Sequence, residues 1–465
     1  MKAIPAIFLT TLLWSGIANS ETLTDQRLSG GTTTVFDTST NAFTLPAANT
    51  SLERRDNFFV GNAFFQQPWV IAPASTTARD GLGPLFTLNS CQGCHVKDGK
   101  GHPPLTKDEP FLSTLVRLSI PSDTKTAVDV LTQSGAVPEP TYGLQLQPNA
   151  IPALQGEGKP QLHYEEIRGQ FKDGTPYTLQ KPVLSIHDLS DGALHPQTQF
   201  SVRVAPVMIG LGLLAAVAET TLLSHADPDD LNQDGISGRG NQVWDATLQQ
   251  TVIGRFGWKA NQPSIAQQVA AAFNNDIGIT SERFPQANCT SKQTACLHAP
   301  NGGSPEIRNA LLETVVYYAS LLAVPARRDV ENADVQQGQR LFQQAGCAAC
   351  HLPQLKTAEK LGFPELSQQT IQPFTDLLLH DMGEGLADNR PDFLANGREW
   401  RTAPLWGIGL VEKVNGHTRF LHDGRARTIM EAILWHGGEA ETARQQVLHL
   451  NANERAALLR FLNSL

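Results

Sequence analysis

The chain has 465 residues, 40% of them hydrophobic, which is enough for two or three domains with substantial cores. Its net charge of −9 comes from 45 acidic and 36 basic residues interspersed along the sequence, which excludes the basic footprint of a nucleic-acid binder. Beyond the first twenty residues no stretch offers ~20 uninterrupted apolar positions, so no membrane span is expected; VAPVMIGLGLLAAVAETTLL comes closest and reads as a buried helix.

The opening MKAIPAIFLTTLLWSGIANS places Lys2 before a short apolar run and ends in small residues at Ala18 and Ser20. That pattern predicts a signal peptide over 1–20, cleaved near Ser20–Glu21, and an exported, periplasmic protein. A mixed polar and aromatic leader, NFFVGNAFFQQPWVIAP, then runs toward NSCQGCHVKDGKG, where Cys91, Cys94 and His95 make a C-x-x-C-H motif. This spacing is a c-type haem attachment signal: two thioethers hold the macrocycle and the adjacent histidine reaches the iron. From about 105 to 205 the chain is rich in Pro, Gly and Thr, with β-prone pieces at PYTLQKPVLSI and FSVRVAPV. It reads as an insertion of strands and loops.

Helical periodicity returns at GLGLLAAVAETTLL, PSIAQQVAAAFNND and EIRNALLETVVYYASLLAVP. Between the first two lies DPDDLNQDGISGRGN, a candidate calcium loop over 227–241, in which Asp230, Asn232 and Asp234 alternate before Gly235 and Ile236 could offer its carbonyl. Counted from Asp230, position twelve is Asn241, where an EF-hand has a bidentate glutamate. Cys289 and Cys296, with six residues between them in a polar segment, are expected to pair as a disulfide in an oxidising compartment.

The second C-x-x-C-H, Cys347, Cys350 and His351, follows VQQGQRLFQQAG, for which Asp334 is the expected N-cap. Further on, Thr428 and Glu431 form a capping-box pattern for IMEAILWH, which Gly437 and Gly438 end. His436 stands in its last turn, with Met382 and Met430 as competing candidates for the second iron. The last helix, NANERAALLRFLNSL, shows a capping box at Asn451 and Glu454 and an apolar face at Ala457, Leu458, Phe461, Leu462 and Leu465. The expected fold is mainly α: two cytochrome c-like haem domains, 21–325 and 326–465, with the strand- and loop-rich insertion in the first. Two covalently bound haem c groups are the expected cofactors.

Besides the haem motifs, DGLGPLF, GRFGWKANQPSIAQQ, DIGITS, FTDLLLHDMGEG, REWRTAPLWGIG and FLHDGRARTIMEAILWHGGEA occur in order. This series resembles the bacterial di-haem oxidoreductases labelled peroxidases or thiol oxidoreductases. They are related to di-haem cytochrome c peroxidases and to the di-haem enzyme that matures a tryptophan-derived quinone. The resemblance implies that Trp258 lies between the haems and relays electrons, and that Gln268, ten positions on, faces the peroxide site. The relatives' acidic residue twenty positions on is Gly278 here, and the nearest carboxylate is Asp276. It further implies that the ligand fourteen positions after the histidine of His422-Asp423-Gly424 is His436.

Three functions remain open at this level. In the first, an enzyme reduces hydrogen peroxide or another oxidant at the first haem, fed through the second by a small cytochrome or cupredoxin. In the second, a pure electron carrier has both irons closed, with His163, His187 or His195 completing the first. The third is a di-haem oxidase acting on a protein or polymer.

Overall fold

In the computed structural model, residues 25–123 and 128–465 are described; the expected signal peptide lies outside them. The expectation of a mainly helical chain built from two cytochrome c-like domains is corrected: 30% is helix and 18% is strand, the latter in small sheets. The physical reason is punctuation. With 38 Gly and 29 Pro the periodic segments are interrupted early, so helices stay short and the intervening chain pairs locally as ribbons. Among the described residues six two-stranded sheets result, and three lie outside the insertion: Gln242–Asp245 with Gln250–Ile253, Leu355–Lys356 with Thr370–Ile371, and Leu379–Asp381 with Glu399–Arg401.

The strong periodic segments are helices: Leu52–Gln66, Ile265–Asp276, Asn309–Leu321, Ala333–Gln344 and Ala452–Ser464. GLGLLAAVAETTLL divides into two short ones, Leu211–Ala216 and Glu219–Leu223, at an extended Val217 and Ala218. The last helix carries the expected capping box, and Leu458, Phe461, Leu462 and Leu465 are all buried, each contributing roughly 1.5–3 kcal/mol. It crosses Ala333–Gln344 closely; a Cβ at Gly338 would lie 2.0 Å from the Ala457 carbonyl oxygen. The N-cap of Ala333–Gln344 is Asn332 rather than Asp334, because the Asn332 side chain accepts from the Asp334 and Val335 amides. Asp334 sits in the first turn and pairs with Arg460. One large hydrophobic core takes residues from Ala42 to Leu465 and so joins the segments on both sides of residue 325.

The insertion forms a wall. Strand Thr114–Ser119 pairs antiparallel with Gln199–Val204, Leu115 opposite Arg203 and Val116 opposite Val202. Alternation sends Val116 and Leu118 into a separate small core with Tyr142, Leu146 and Leu162. Leu115, Arg117 and Arg203 face the other way. A long hairpin, Lys159–Gln170 with Pro176–His187, reaches the C-terminal helices, where Asp173 pairs with Arg455 at 2.9 Å and the Lys172 amide donates to the Leu448 carbonyl. Cys289 and Cys296 are joined as a disulfide, as expected. Among the described residues no helix is long and apolar enough to cross a membrane.

Candidate active site

Both C-x-x-C-H motifs open onto one cavity of about 790 Å³. Its lining includes Cys91, Cys94, His95, Cys347, Cys350, His351 and His436, together with Trp258, Gln268 and Asp276. Ser90 starts the first motif as an N-cap to the turn Cys91–Cys94, its side chain accepting the Gly93 amide. The second motif follows directly on Ala333–Gln344, turned by Gly346 in the left-handed region. All four thiols are free and half-exposed, and what they are exposed to is the cavity.

The three histidines share one arrangement. His95 Nδ1 lies 2.9 Å from the Pro206 carbonyl, His351 Nδ1 is 2.8 Å from that of Phe374, and His436 Nδ1 is 2.7 Å from that of Ala432. A carbonyl can only accept, so each Nδ1 carries the proton and each Nε2 keeps its lone pair. Burial pushes His95 and His351 down to about 4, against the pull of those carbonyls, and His436 makes the charged form of His351 still less favourable. Burial lowers His436 as well. Neutral imidazoles with oriented Nε2 atoms beside paired free thiols fit two haems of the c type: Cys91, Cys94 and His95 would hold one, Cys347, Cys350, His351 and His436 the other.

His436 is the residue capping Ile429–Trp435 rather than a member of its last turn. Thr428 accepts the Glu431 amide as expected, but the Glu431 carboxylate returns to the amide and guanidinium of Arg427, so the capping box is only half made. Met382 lines the same cavity as His436, whereas Met430 lines a smaller pocket with Tyr177 and Arg427. Of the three spare histidines expected to be able to close the first iron, His163 and His187 are exposed on the long hairpin, and His195 is held through its amide by Glu139. None of the three lines the cavity.

Gln268, Ala272 and Asp276 reach the cavity from one side of Ile265–Asp276. Asp276 accepts from Gln145 Nε2 at 2.8 Å. Burial raises its pKa, opposed by the nearby Arg117 guanidinium and by that hydrogen bond, and its charge in turn helps burial raise the thiols of Cys91 and Cys94. Gly278 could not have carried the acid, since its φ is +76° and a Cβ there would meet the Leu85 carbonyl oxygen at 2.6 Å and the Gly83 Cα at 2.8 Å. Trp258 Nε1 donates to the Val204 carbonyl at 2.8 Å, and its own carbonyl accepts the Arg401 amide, so it ties the insertion to the C-terminal segment.

Several lining groups had no role assigned from sequence. Lys100 Nζ stands 4.5 Å from the Trp258 ring centroid. Trp400 stacks on His422 at 3.6 Å with planes 11° apart. His380 is clamped between Asp376 at 2.8 Å and Glu439 at 2.7 Å, with Cys350 Sγ 3.7 Å from its Nδ1. Asp376, His380 and Trp400 lie in motifs that carry the family resemblance, which was the available signal. Among the described residues Cys350, Asp376 and His380 form the one three-residue cluster with metal-ligand geometry. In the 227–241 loop, Asp227, Asp230, Asn232 and Asp234 instead accept amides of Leu231, Gly235, Asp234 and Ile236. Asp234, Gly235 and Ile236 also line the cavity.

Residues 23–465 match a family described as di-haem oxidoreductase, putative peroxidase, and the chain belongs to that family. No curated protein and no solved structure matches it.

Proposed function

From membership of a di-haem oxidoreductase family, we propose that this is an exported, periplasmic enzyme that reduces hydrogen peroxide at a haem held by Cys91, Cys94 and His95. Cys347, Cys350, His351 and His436 would hold a second haem, which would supply electrons taken from a small cytochrome or cupredoxin. The observation that carries this reading is the single cavity shared by both motifs with Trp258, Gln268 and Asp276.

When bound, the haems supply electron storage and a coordination position open to the oxidant. The chain's own residues supply the rest. A small oxidant admitted over Ala272, whose side chain is short, is flanked by Gln268 and Asp276. Gln268 orients it through its amide, and Asp276 takes a proton from one oxygen and returns it to the other. Breaking the O–O bond consumes two electrons and two protons and yields two waters. Trp258 couples the two halves. What favours this reading over a pure carrier is that none of His163, His187 and His195 lines the cavity.

An absorption spectrum of the holoprotein, as isolated and half-reduced, tests the proposal. Some high-spin haem that binds cyanide and responds to peroxide is expected; only low-spin haem, inert in every redox state, would overturn it. A structural calcium ion in the 227–241 loop belongs to the same proposal and is supported by residue pattern alone. Chelator should lower the melting temperature, and an equal effect in an Asp230→Ala, Asp234→Ala variant excludes the loop.

A further inference from the structure

The loop that follows the first C-x-x-C-H brings a lysine back over the cavity. Lys100 is buried, its Nζ donates to the Leu421 carbonyl at 3.0 Å, and it stands 4.5 Å from the centroid of Trp258. The Lys100 amide is fixed by Asn415 at 3.0 Å and its carbonyl accepts from His417 Nε2 at 2.9 Å, so the side chain has little freedom to leave the ring. An ammonium over an indole face favours the electron-rich neutral ring. It disfavours the same ring with one electron removed, because two positive charges then face each other in a low-dielectric site.

We propose that Lys100 is a positioning residue that controls the oxidation of Trp258: with its ammonium over the ring, the indole passes electrons without itself becoming a radical. The inference rests on the proposed peroxide chemistry and on Trp258 as the coupling residue. The bookkeeping is one electron at a time. If Trp258 yields an electron to peroxide it becomes a radical cation, and one electron originating from the donor protein restores the neutral ring. No bond forms or breaks at Trp258 or Lys100 in either case.

The surroundings make this control sensitive to pH. Burial pushes Lys100 down to about 7, opposed by Asp423. Asp423 is itself held ionised: burial would raise it, but the charge and hydrogen bonds of Arg425 outweigh that, while His422 beside it is pushed down to about 3 by burial and stays neutral. His417 packs on the backbone side, with His102 5.1 Å from its ring, and burial pushes His417 down to about 4, so it adds no charge near neutrality. Lys100 therefore loses its proton as pH rises through neutrality, and the restraint on Trp258 goes with it.

The test mixes holoprotein with hydrogen peroxide and measures tryptophanyl radical by freeze-quench electron paramagnetic resonance. Lys100→Met should raise the radical yield about tenfold at pH ~6, while Lys100→Arg, which keeps the charge, should match wild type. In wild type the yield should climb between pH ~6 and ~8. That series carries the test if Lys100→Met does not accumulate with both haems attached. A wild-type yield in Lys100→Met, or a flat pH series, overturns the inference while leaving peroxide reduction standing. A wild-type protein that does not react with peroxide at any pH removes both together.

Discussion

Gln268 and Asp276 reach the same cavity from one side of one helix, about 12 Å apart along its axis. Ala272 lies between them on the cavity wall, so the two side chains flank the same space from opposite ends. Under the proposed peroxide chemistry Asp276, buried near the Arg117 guanidinium, would move the proton, and Gln268 would hold the oxidant from the other side.

Asp276→Asn should therefore lower peroxide turnover about 10²-fold with little change in KM, whereas Gln268→Leu should act mainly on KM. The pH profile gives the sign. A carboxylate base works only when ionised, so activity falls as pH drops through the Asp276 pKa, which burial has raised above the usual carboxylate range. Removing the opposing charge with Arg117→Leu should move that acid limb to higher pH. Steady-state rates from acid to neutral pH check both, and an unmoved limb in Arg117→Leu counts against Asp276.

His436→Ala should convert one low-spin haem to high spin and leave the other unchanged. The neutral imidazole, its Nδ1 held by Ala432, faces the same cavity as His351. An electron paramagnetic resonance spectrum like wild type would transfer the role to Met382, the other candidate that lines this cavity.

The sequence made legible what short-range physics determines. The capping box of Asn451 and Glu454 and the apolar face behind it need only neighbours within two turns, and both appear in the structure. The half-made box at Thr428 and the shift of a cap from Asp334 to Asn332 show the limit of such patterns, since a competing acceptor or donor one or two residues away decides them. Ribbons such as Leu379–Asp381 with Glu399–Arg401 were illegible because three-residue strands carry no period, only a distant partner. The overestimate of helix follows from the same blindness. That Gly278 has no room for a side chain, and that Asp276 lines the cavity with Gln268, depends on tertiary packing and could not be read from spacing. The clamp on His380 joins residues 59 positions apart in sequence and could not be read locally.

That clamp makes a stability prediction. Burial alone would push the His380 imidazole down, but hydrogen bonds to Asp376, Cys350 and Glu439 outweigh it and raise its pKa well above the usual range. A histidine raised on folding contributes stability that is fully present below its unfolded value near 6.5 and is lost as pH rises toward the folded one. Asp376→Asn should cost about 3 kcal/mol at neutral pH, since one partner of a buried ion pair is removed. It should also flatten the decline of stability above pH ~6.5. Denaturant melts of the holoprotein at several pH values measure both, and an undiminished slope in the variant would show that His380 is not the group responsible.

Trp258→Phe addresses whether the two halves work as one enzyme. The substitution removes the hydrogen bond to the Val204 carbonyl and the larger indole, but keeps an aromatic ring under Lys100. Neither motif contacts change, so both haems should attach and the resting spectra should stay close to wild type. A carrier whose haems act separately would show no further effect. If electrons for peroxide reduction cross at Trp258, steady-state turnover should fall about tenfold or more, while binding of cyanide to the resting protein stays as it was. The split matters because a merely structural role would disturb cyanide binding and spectra along with rate. Full activity in Trp258→Phe would separate the two haem sites and return the chain to a reading in which the shared cavity holds them side by side without coupling.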